Sequence, residues 1–301
     1  MSRWHDWYKQ YRATLKPLEM EELGDLVFCR PPAFLLAKAL RATPITPDHV
    51  SFFAVIWSVV VSYCFWQGSY RYTLMAAAAF YFWNVLDCVD GQLARMKGGG
   101  SPIGYIVDEV VDQISTVLLW LGIAGGLAHG RGGEHNWWLM GVVGGVCMGI
   151  ECSVLEAKCH EWQVRVYGSR KSFRDDLAQV TKLGAEWRRE GRHLVGRFVI
   201  RFYQVQRWLQ GLYLPGTERE EPQYTKQQNE RWAKVHRKVL RMAVWLGPTT
   251  QMFVTIACCA VNRMDYYLWA VLFVGLPWMV LVHLMSWYAR HQEQHQKLQE
   301  T

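Results

Sequence analysis

The chain has 301 residues, is 51% hydrophobic and carries a formal charge of +7, which allows one large domain or a bundle of membrane helices. Its mean hydropathy of −0.05 hides a split, because long apolar runs alternate with one very polar stretch. The basic balance suits anionic headgroups or a phosphorylated substrate, and it excludes nucleic acid, since no basic, aromatic-interleaved module stands free of the apolar runs.

Residues 1–48 form an N-terminal cytoplasmic or interfacial segment. Its first residues, MSRWHDWYKQYR, lack an apolar core of signal-peptide type, so insertion is expected to use internal spans. Pro17 to Glu22 is turn-like. Leu23 to Leu40 mixes apolar residues with Arg30 and Lys38, as expected of a helix lying at the interface, kinked or begun at Pro31-Pro32. Thr43 to Asp48 breaks it and can cap the next helix.

Six spans are expected, each near the ~20 residues that a bilayer requires. They run from Val50 to Trp66, from Thr73 into an acidic motif, from Asp108 to a Gly/His-rich loop near Ala128 to Glu134, and from Trp137 to Leu155. The last two are Leu240 to Val261 and Tyr267 to Tyr288. Residues 49–158 thus make a membrane core of four spans, and 240–301 hold the last two spans and a polar tail. Between them, 159–239 is a basic cytoplasmic helical insertion, with His193 to Tyr213 predicted as a helix in the headgroup plane or half of a solvated hairpin. Pro215 to Pro222 reads as a loop. The fold class is an all-α integral membrane protein: a six-helix bundle with an N-terminal interfacial helix and that insertion. Eight cysteines, mostly inside apolar runs and without a C-x2-C pair, read as small buried hydrophobes. Trp57, Trp66, Trp137, Trp138, Trp269 and Trp287 read as interfacial anchors. Lys and Arg crowd one set of flanks, which places both termini and the acidic motif on the cytoplasmic side.

That motif, DCVDGQLARMKGGGSPIGYIVDEVVD, spans Asp87 to Asp112. Asp87 and Asp90 lie three apart at the end of one apolar run; Asp108 and Asp112 lie four apart at the start of the next. Helical spacing puts each pair on one face. Uncompensated acids are costly near lipid, and converging carboxylates are what a hard cation such as Mg²⁺ requires. A cap could explain Asp108 alone, but not Asp87 and Asp90 near the end of their helix. Gly91 and Ala94 leave a shallow groove beside the acids, Arg95 can fork onto phosphate oxygens, and Gly104 allows a close helix approach. Asn84 is a candidate support for the metal site. Glu151, inside the fourth span, and Lys158, near its end, are candidates on the acceptor side, whereas His283 reads as a hydrogen-bonded core histidine.

The pattern D-x2-D-G-x2-A-R-x8-G-x3-D-x3-D is complete, and on it the chain strongly resembles the CDP-alcohol phosphotransferase family. Family members commonly show Thr-Pro-Asn where this chain has Thr46-Pro47-Asp48. The resemblance implies attack by one alcohol on a CDP-linked alcohol, giving a phosphodiester and CMP. It implies that Asp87, Asp90, Asp108 and Asp112 hold two Mg²⁺ or Mn²⁺ ions, that Gly91, Ala94, Arg95 and Gly104 border the cytidine diphosphate, and that Asp112 deprotonates the acceptor. The expected partners are a CDP-linked donor, a hydroxyl acceptor, the bilayer and a second copy of the chain. CDP-diacylglycerol is the favoured donor, because headgroup transferases of eukaryotes generally have more spans; CDP-choline or CDP-ethanolamine is the alternative. A non-catalytic ion carrier has no need of the Gly, Ala and Arg spacing.

Overall fold

The structure, a computed structural model, describes residues 2–99, 104–131, 136–168, 173–189, 194–213 and 225–300. The expected loop at 215–222, His193 and the end of the loop at 128–134 lie outside the described residues. Among the described residues there is no strand. Six helical stretches are long and apolar enough to cross a membrane: Pro47–Trp66, Tyr70–Met96, Ile106–Gly130, Trp137–Tyr167, Lys226–Ala260 and Met264–Glu293. Each corresponds to one expected span, so the chain is a multi-pass membrane protein.

Helix α1 (Ser2–Ala13) and a π-helical turn (Asp25–Cys29) precede α2 (Arg30–Leu40). Pro31 and Pro32 occupy the first turn of α2, where a missing N–H costs nothing. Then come α3 (Pro47–Trp66), α4 (Tyr70–Met96), α5 (Gly104–Arg131) and α6 (Trp137–Trp162). Thr46 starts α3: its hydroxyl accepts from the His49 amide while the His49 ring accepts from the Thr46 amide. The connection thus caps the first span, as its sequence suggests.

Helices α7 (Phe173–Arg189) and α8 (Leu194–Tyr213) follow, then α9 (Lys226–Ala243). The fifth span differs from expectation. The helix that leads into it begins well before Leu240, and there Trp232, His236, Val239, Leu240 and Ala243 form a buried stripe at helical spacing on an otherwise polar helix. The span is also interrupted. A 3₁₀ turn at Val244–Leu246 and an extended Gly247 separate α9 from α10 (Pro248–Ala260), since Pro248 has no N–H with which to continue the ladder. Helix α11 (Met264–Ala270), a π-helical turn (Val271–Gly275) and α12 (Leu276–Glu300) complete the chain.

Contacts group the residues into two compact units, 1–148 with 248–272 and 149–247 with 273–301. The four segments read from the sequence follow chain order, whereas each unit joins two separate stretches. In the first unit α3 packs on α4 and α5, and α2 and α10 pack on α4. Glycines set the distance between α3 and α5. A Cβ at Gly122 would meet the Ser62 carbonyl oxygen at 2.4 Å, and one at Gly126 would meet that of Phe65 at 2.0 Å. Ser62 Oγ donates to the Leu118 carbonyl at 2.6 Å. Trp137 is buried, 6% exposed, and Trp57 donates to the Ala79 carbonyl at 2.9 Å. Both indoles contribute to packing, and the Trp57 N–H finds its partner within the unit.

In the second unit the latter part of α6 packs with α9 and α12 around Val154, Leu155, Val239, Ala243, Leu246, Val282 and Ala289. Helices α7 and α8 pack against each other, with Ile200 over Gly184 and Trp187 over Gly196. Arg207 on α8 pairs with Glu156 on α6 at 3.1 Å.

The glycine contacts give a test. Gly126→Ala must push apart two backbones and is expected to destabilise the detergent-solubilised protein by about 1–3 kcal/mol. Gly149→Ala, with nothing within 4 Å of the added methyl, is expected to be neutral or slightly stabilising through helix propensity. Thermal unfolding of the two variants side by side checks both outcomes.

Candidate metal and phosphate site

The first aspartate pair closes α4 and the second opens α5. Asp87, Asp90 and Asp108 each present a carboxylate oxygen, and these oxygens lie within 4.8 Å of one another. Asp90 is 5% exposed; Asp87 and Asp108 are half-buried. Asp112 sits one turn further into α5. Its carboxylate falls outside the converging set, although the charges of Asp87, Asp108 and Asp90 all act on it. The structure therefore brings three of the four expected acids together.

Three like charges this close repel, and water is largely excluded from Asp90, so the set calls for a counter-cation. The donors are all oxygen, from a type of side chain that suits a hard divalent ion of the Mg²⁺ class. The residues fit such an ion.

The sequence reading missed Ser51. This hydroxyl, on the second turn of α3, donates to Asp90 Oδ2 at 2.9 Å and lies 3.5 Å from Asp108 Oδ1. It joins the two acidic helices to a third and orients the carboxylates. A lone serine inside an apolar run was a weak signal, because serines in such helices commonly bond to their own backbone; Ser51 also does so, to the Pro47 carbonyl at 3.3 Å.

Two small residues follow the first aspartate pair on α4. Gly91 and Ala94 are half-buried, and the Arg95 guanidinium folds back over Gly91, 3.4 Å from where a Cβ would stand. A side chain there would displace the arginine. Gly104 heads α5 half-buried; the closest approaches of α5 to α3 occur deeper, at Gly122 and Gly126. Between Asp90 and Arg95, Gln92 is fully buried, with no hydrogen-bond partner for either end of its amide. Asn84 is buried and donates to the Phe80 carbonyl one turn back at 2.9 Å.

The N-terminal segment also reaches this region. Arg95 Nε donates to the Thr14 carbonyl. Arg30, expected among the interfacial cations, is instead 5% exposed. Its guanidinium holds Glu21 Oε2 at 3.0 and 3.1 Å, with Asp25 at 3.9 Å. Burial of an arginine is tolerated only with such partners. Glu22 accepts from the amides of Thr249 and Thr250 at 3.3 and 2.9 Å, capping α10. Burial, followed by the charge of Asp25, pushes the Glu22 carboxyl up to about 8.

The remaining candidates belong to the second unit. Glu151 is fully buried, and its carboxylate is seated against Gly275, where a Cβ would come within 2.2 Å of Oε1. Lys158 Nζ lies 3.4 Å from Glu161 Oε2. The His283 ring is half-buried and contacts the Met279 carbonyl one turn back at 3.0 Å.

Residues 44–168 match the sequence model of CDP-alcohol phosphatidyltransferases. Among similar proteins, the phosphatidylinositol phosphate synthase of Mycobacteroides abscessus is 30% identical over 104 residues, which is 32% of this chain and 43% of that protein. Cholinephosphotransferase 1 of Bos taurus is 28% identical over 125 residues, 40% of this chain and 28% of that protein. The archaetidylinositol phosphate synthase of Pyrococcus horikoshii is 31% identical over 97 residues, 31% of this chain and 49% of that protein. The chain thus spans less than half the length of each of these relatives. The complete acidic motif and its converging carboxylates thus lie within the stretch, residues 44–168, that matches that family's model.

Proposed function

We propose that the protein transfers a substituted phosphate from a CDP-alcohol to an acceptor hydroxyl, releasing CMP, as a step of phospholipid synthesis. The observation that carries this reading is the convergence of Asp87, Asp90 and Asp108 from two helices within 4.8 Å, inside a motif whose every fixed position is filled. The three would hold divalent metal, with two ions when Asp112 contributes. Metal bound there supplies Lewis-acid charge to the phosphate oxygens. Gly91 and Ala94 give the donor's cytidine diphosphate a close approach to the α4 backbone, Gly104 borders it from α5, and Arg95 adds positive charge. The acceptor oxygen forms a bond to the phosphorus that carries the donated alcohol. The bond from that phosphorus to the CMP oxygen breaks, CMP leaves with the electron pair, and the acceptor proton passes to the Asp112 carboxylate. Asp112 suits this role because it stands one turn beyond Asp108 on α5, next to the three converging acids.

CDP-diacylglycerol is the proposed donor. Two of the relatives above are named as synthases of inositol-phosphate lipids, and the six spans fit the smaller architecture. The similarity to a cholinephosphotransferase supports a second reading, in which CDP-choline or CDP-ethanolamine gives its headgroup to a lipid alcohol. The loop charges support a motif and termini on the cytoplasmic side, with α2 and α8 in the headgroup plane. A panel of CDP-diacylglycerol, CDP-choline and CDP-ethanolamine, each with candidate acceptors and scored by CMP release and lipid product, tests the function. CMP release from none of them in saturating Mg²⁺ would falsify it.

Two further outcomes are expected. Asp90→Asn and Asp108→Asn abolish turnover and Mn²⁺ binding followed by electron paramagnetic resonance, while Ser51→Ala weakens Mn²⁺ binding by about 10–100-fold by loosening both carboxylates. Full Mn²⁺ affinity in either aspartate variant would remove the metal assignment. Asp112→Asn lowers the single-turnover rate by roughly 10²–10⁴ with donor affinity little changed, as loss of a general base does. A loss of metal affinity equal to that of Asp108→Asn would instead make Asp112 a ligand.

A further inference from the structure

Helices α7 and α8 lie outside the matched stretch 44–168, and α8 has two unlike sides. One side is fixed by packing. Ile200 and Tyr203 are buried, and Gln204 Nε2 donates to Thr181 Oγ1 of α7 at 3.2 Å. Arg207 pairs with Glu156 of α6 and lies over the Tyr203 ring, 4.8 Å from its centre. The other side is exposed yet largely apolar. Phe198, Arg201, Val205 and Trp208 recur there at spacings of three and four, with Phe198 and Trp208 each 63% exposed. At the junction of the two helices a groove of about 350 Å³ is lined by Arg188 of α7 and by Arg197, Phe198 and Arg201 of α8.

We propose that this groove binds an anionic phospholipid, with its phosphate held by Arg188, Arg197 and Arg201 and its acyl chains laid along Phe198, Val205 and Trp208. The site goes beyond the placement of α8 in the headgroup plane, because it gives that helix a ligand, and it needs neither the metal nor the transfer reaction. Two observations carry it. The first is charge. Helix α8 contains three arginines and no acid. Arg207, on the packed side, has its carboxylate. Arg197 and Arg201, in the groove, meet none among the described residues, and Arg188 commits only its Nε, to the Gly184 carbonyl at 3.4 Å. Like charges gathered in one concavity repel, and an anion relieves that repulsion. Guanidinium forks match phosphate oxygens in pairs. The second observation is what adjoins the charge. The groove shares Phe198 with the exposed apolar side of α8. Arginines interleaved with exposed aromatic and aliphatic side chains are the composition of a helix at the boundary of headgroups and acyl chains, whereas a site for a soluble phosphate has no use for that apolar border.

The test uses the whole purified chain in an uncharged detergent with EDTA, so that no divalent metal draws phosphate to the aspartates. Dioctanoyl phosphatidate, dioctanoyl phosphatidylcholine and inorganic phosphate are titrated by calorimetry into the wild type and three double variants. These are Arg197→Ala/Arg201→Ala, Arg197→Lys/Arg201→Lys and a control, Lys182→Ala/Arg189→Ala, which removes two exposed charges of α7 outside the groove. We expect the wild type to bind phosphatidate at least about tenfold more tightly than phosphatidylcholine. The double alanine variant should lose about tenfold or more of that affinity, the worth of one charged hydrogen bond or more. The lysine variant, which keeps the charge but not the fork, should recover part of the loss. The control should match the wild type, and thermal midpoints should agree, since neither groove arginine holds a protein partner. Equal affinity of the wild type for phosphatidate and phosphatidylcholine overturns the site, as does unchanged phosphatidate affinity in the double alanine variant. An equal loss in the control also overturns it, because binding would then follow net charge alone. Inorganic phosphate bound as tightly as phosphatidate overturns the lipid as occupant. None of these results touches CMP release in Mg²⁺, so a failure here is distinct from a failure of the proposed function.

Discussion

Carboxylates brought together away from water are held apart by charge and penalised by desolvation, and this constraint organises the first unit. Three such groups within 4.8 Å do not assemble by mutual attraction. They are forced together by what lies around them: α3 packed on both acidic helices, and Ser51 donating to Asp90 at their meeting point. Apolar packing between α3, α4 and α5 supplies the stabilisation that offsets the repulsion. The glycines that let α5 approach α3 therefore serve the chemistry at a distance, because without that approach Asp108 would not meet Asp87 and Asp90.

A second polar assembly stands beside the first and is satisfied from within. Glu21, Arg30, Asp25, Glu22, Thr249 and Thr250 form a chain of hydrogen bonds and ion pairs linking the N-terminal segment to α10. Here every charge has an opposite or a donor nearby, so protein groups alone complete the network. The contrast is chemical: the self-sufficient cluster builds structure, while the cluster made only of acids requires something that protein does not provide.

Much of this was legible in the sequence. The six apolar runs gave the spans because hydrocarbon demands length and apolarity, and both are local properties. The aspartates were legible because acids at the ends of apolar runs have few explanations. Three kinds of feature were not. Ser51 needed a partner on another helix, and one hydroxyl in an apolar run announces none. Arg30 looked like an interfacial cation, since nothing local reveals that Glu21 closes on it. The start of α9 looked like part of a polar insertion, because its composition hides the stripe from Trp232 to Ala243. In each case the deciding interaction is tertiary, while composition reports only an average.

The cap on α10 has a consequence for biogenesis. Glu22 and the Thr249 amide it binds are 227 residues apart, so this contact cannot form until the fifth span has been synthesised. The aspartate helices, by contrast, come from one short stretch of chain and can pair with α3 while translation continues. The N-terminal segment thus receives its last anchor late. On a ribosome feeding the membrane, the acidic centre precedes its N-terminal wall, and the order of assembly is written into the distance between Glu22 and its cap.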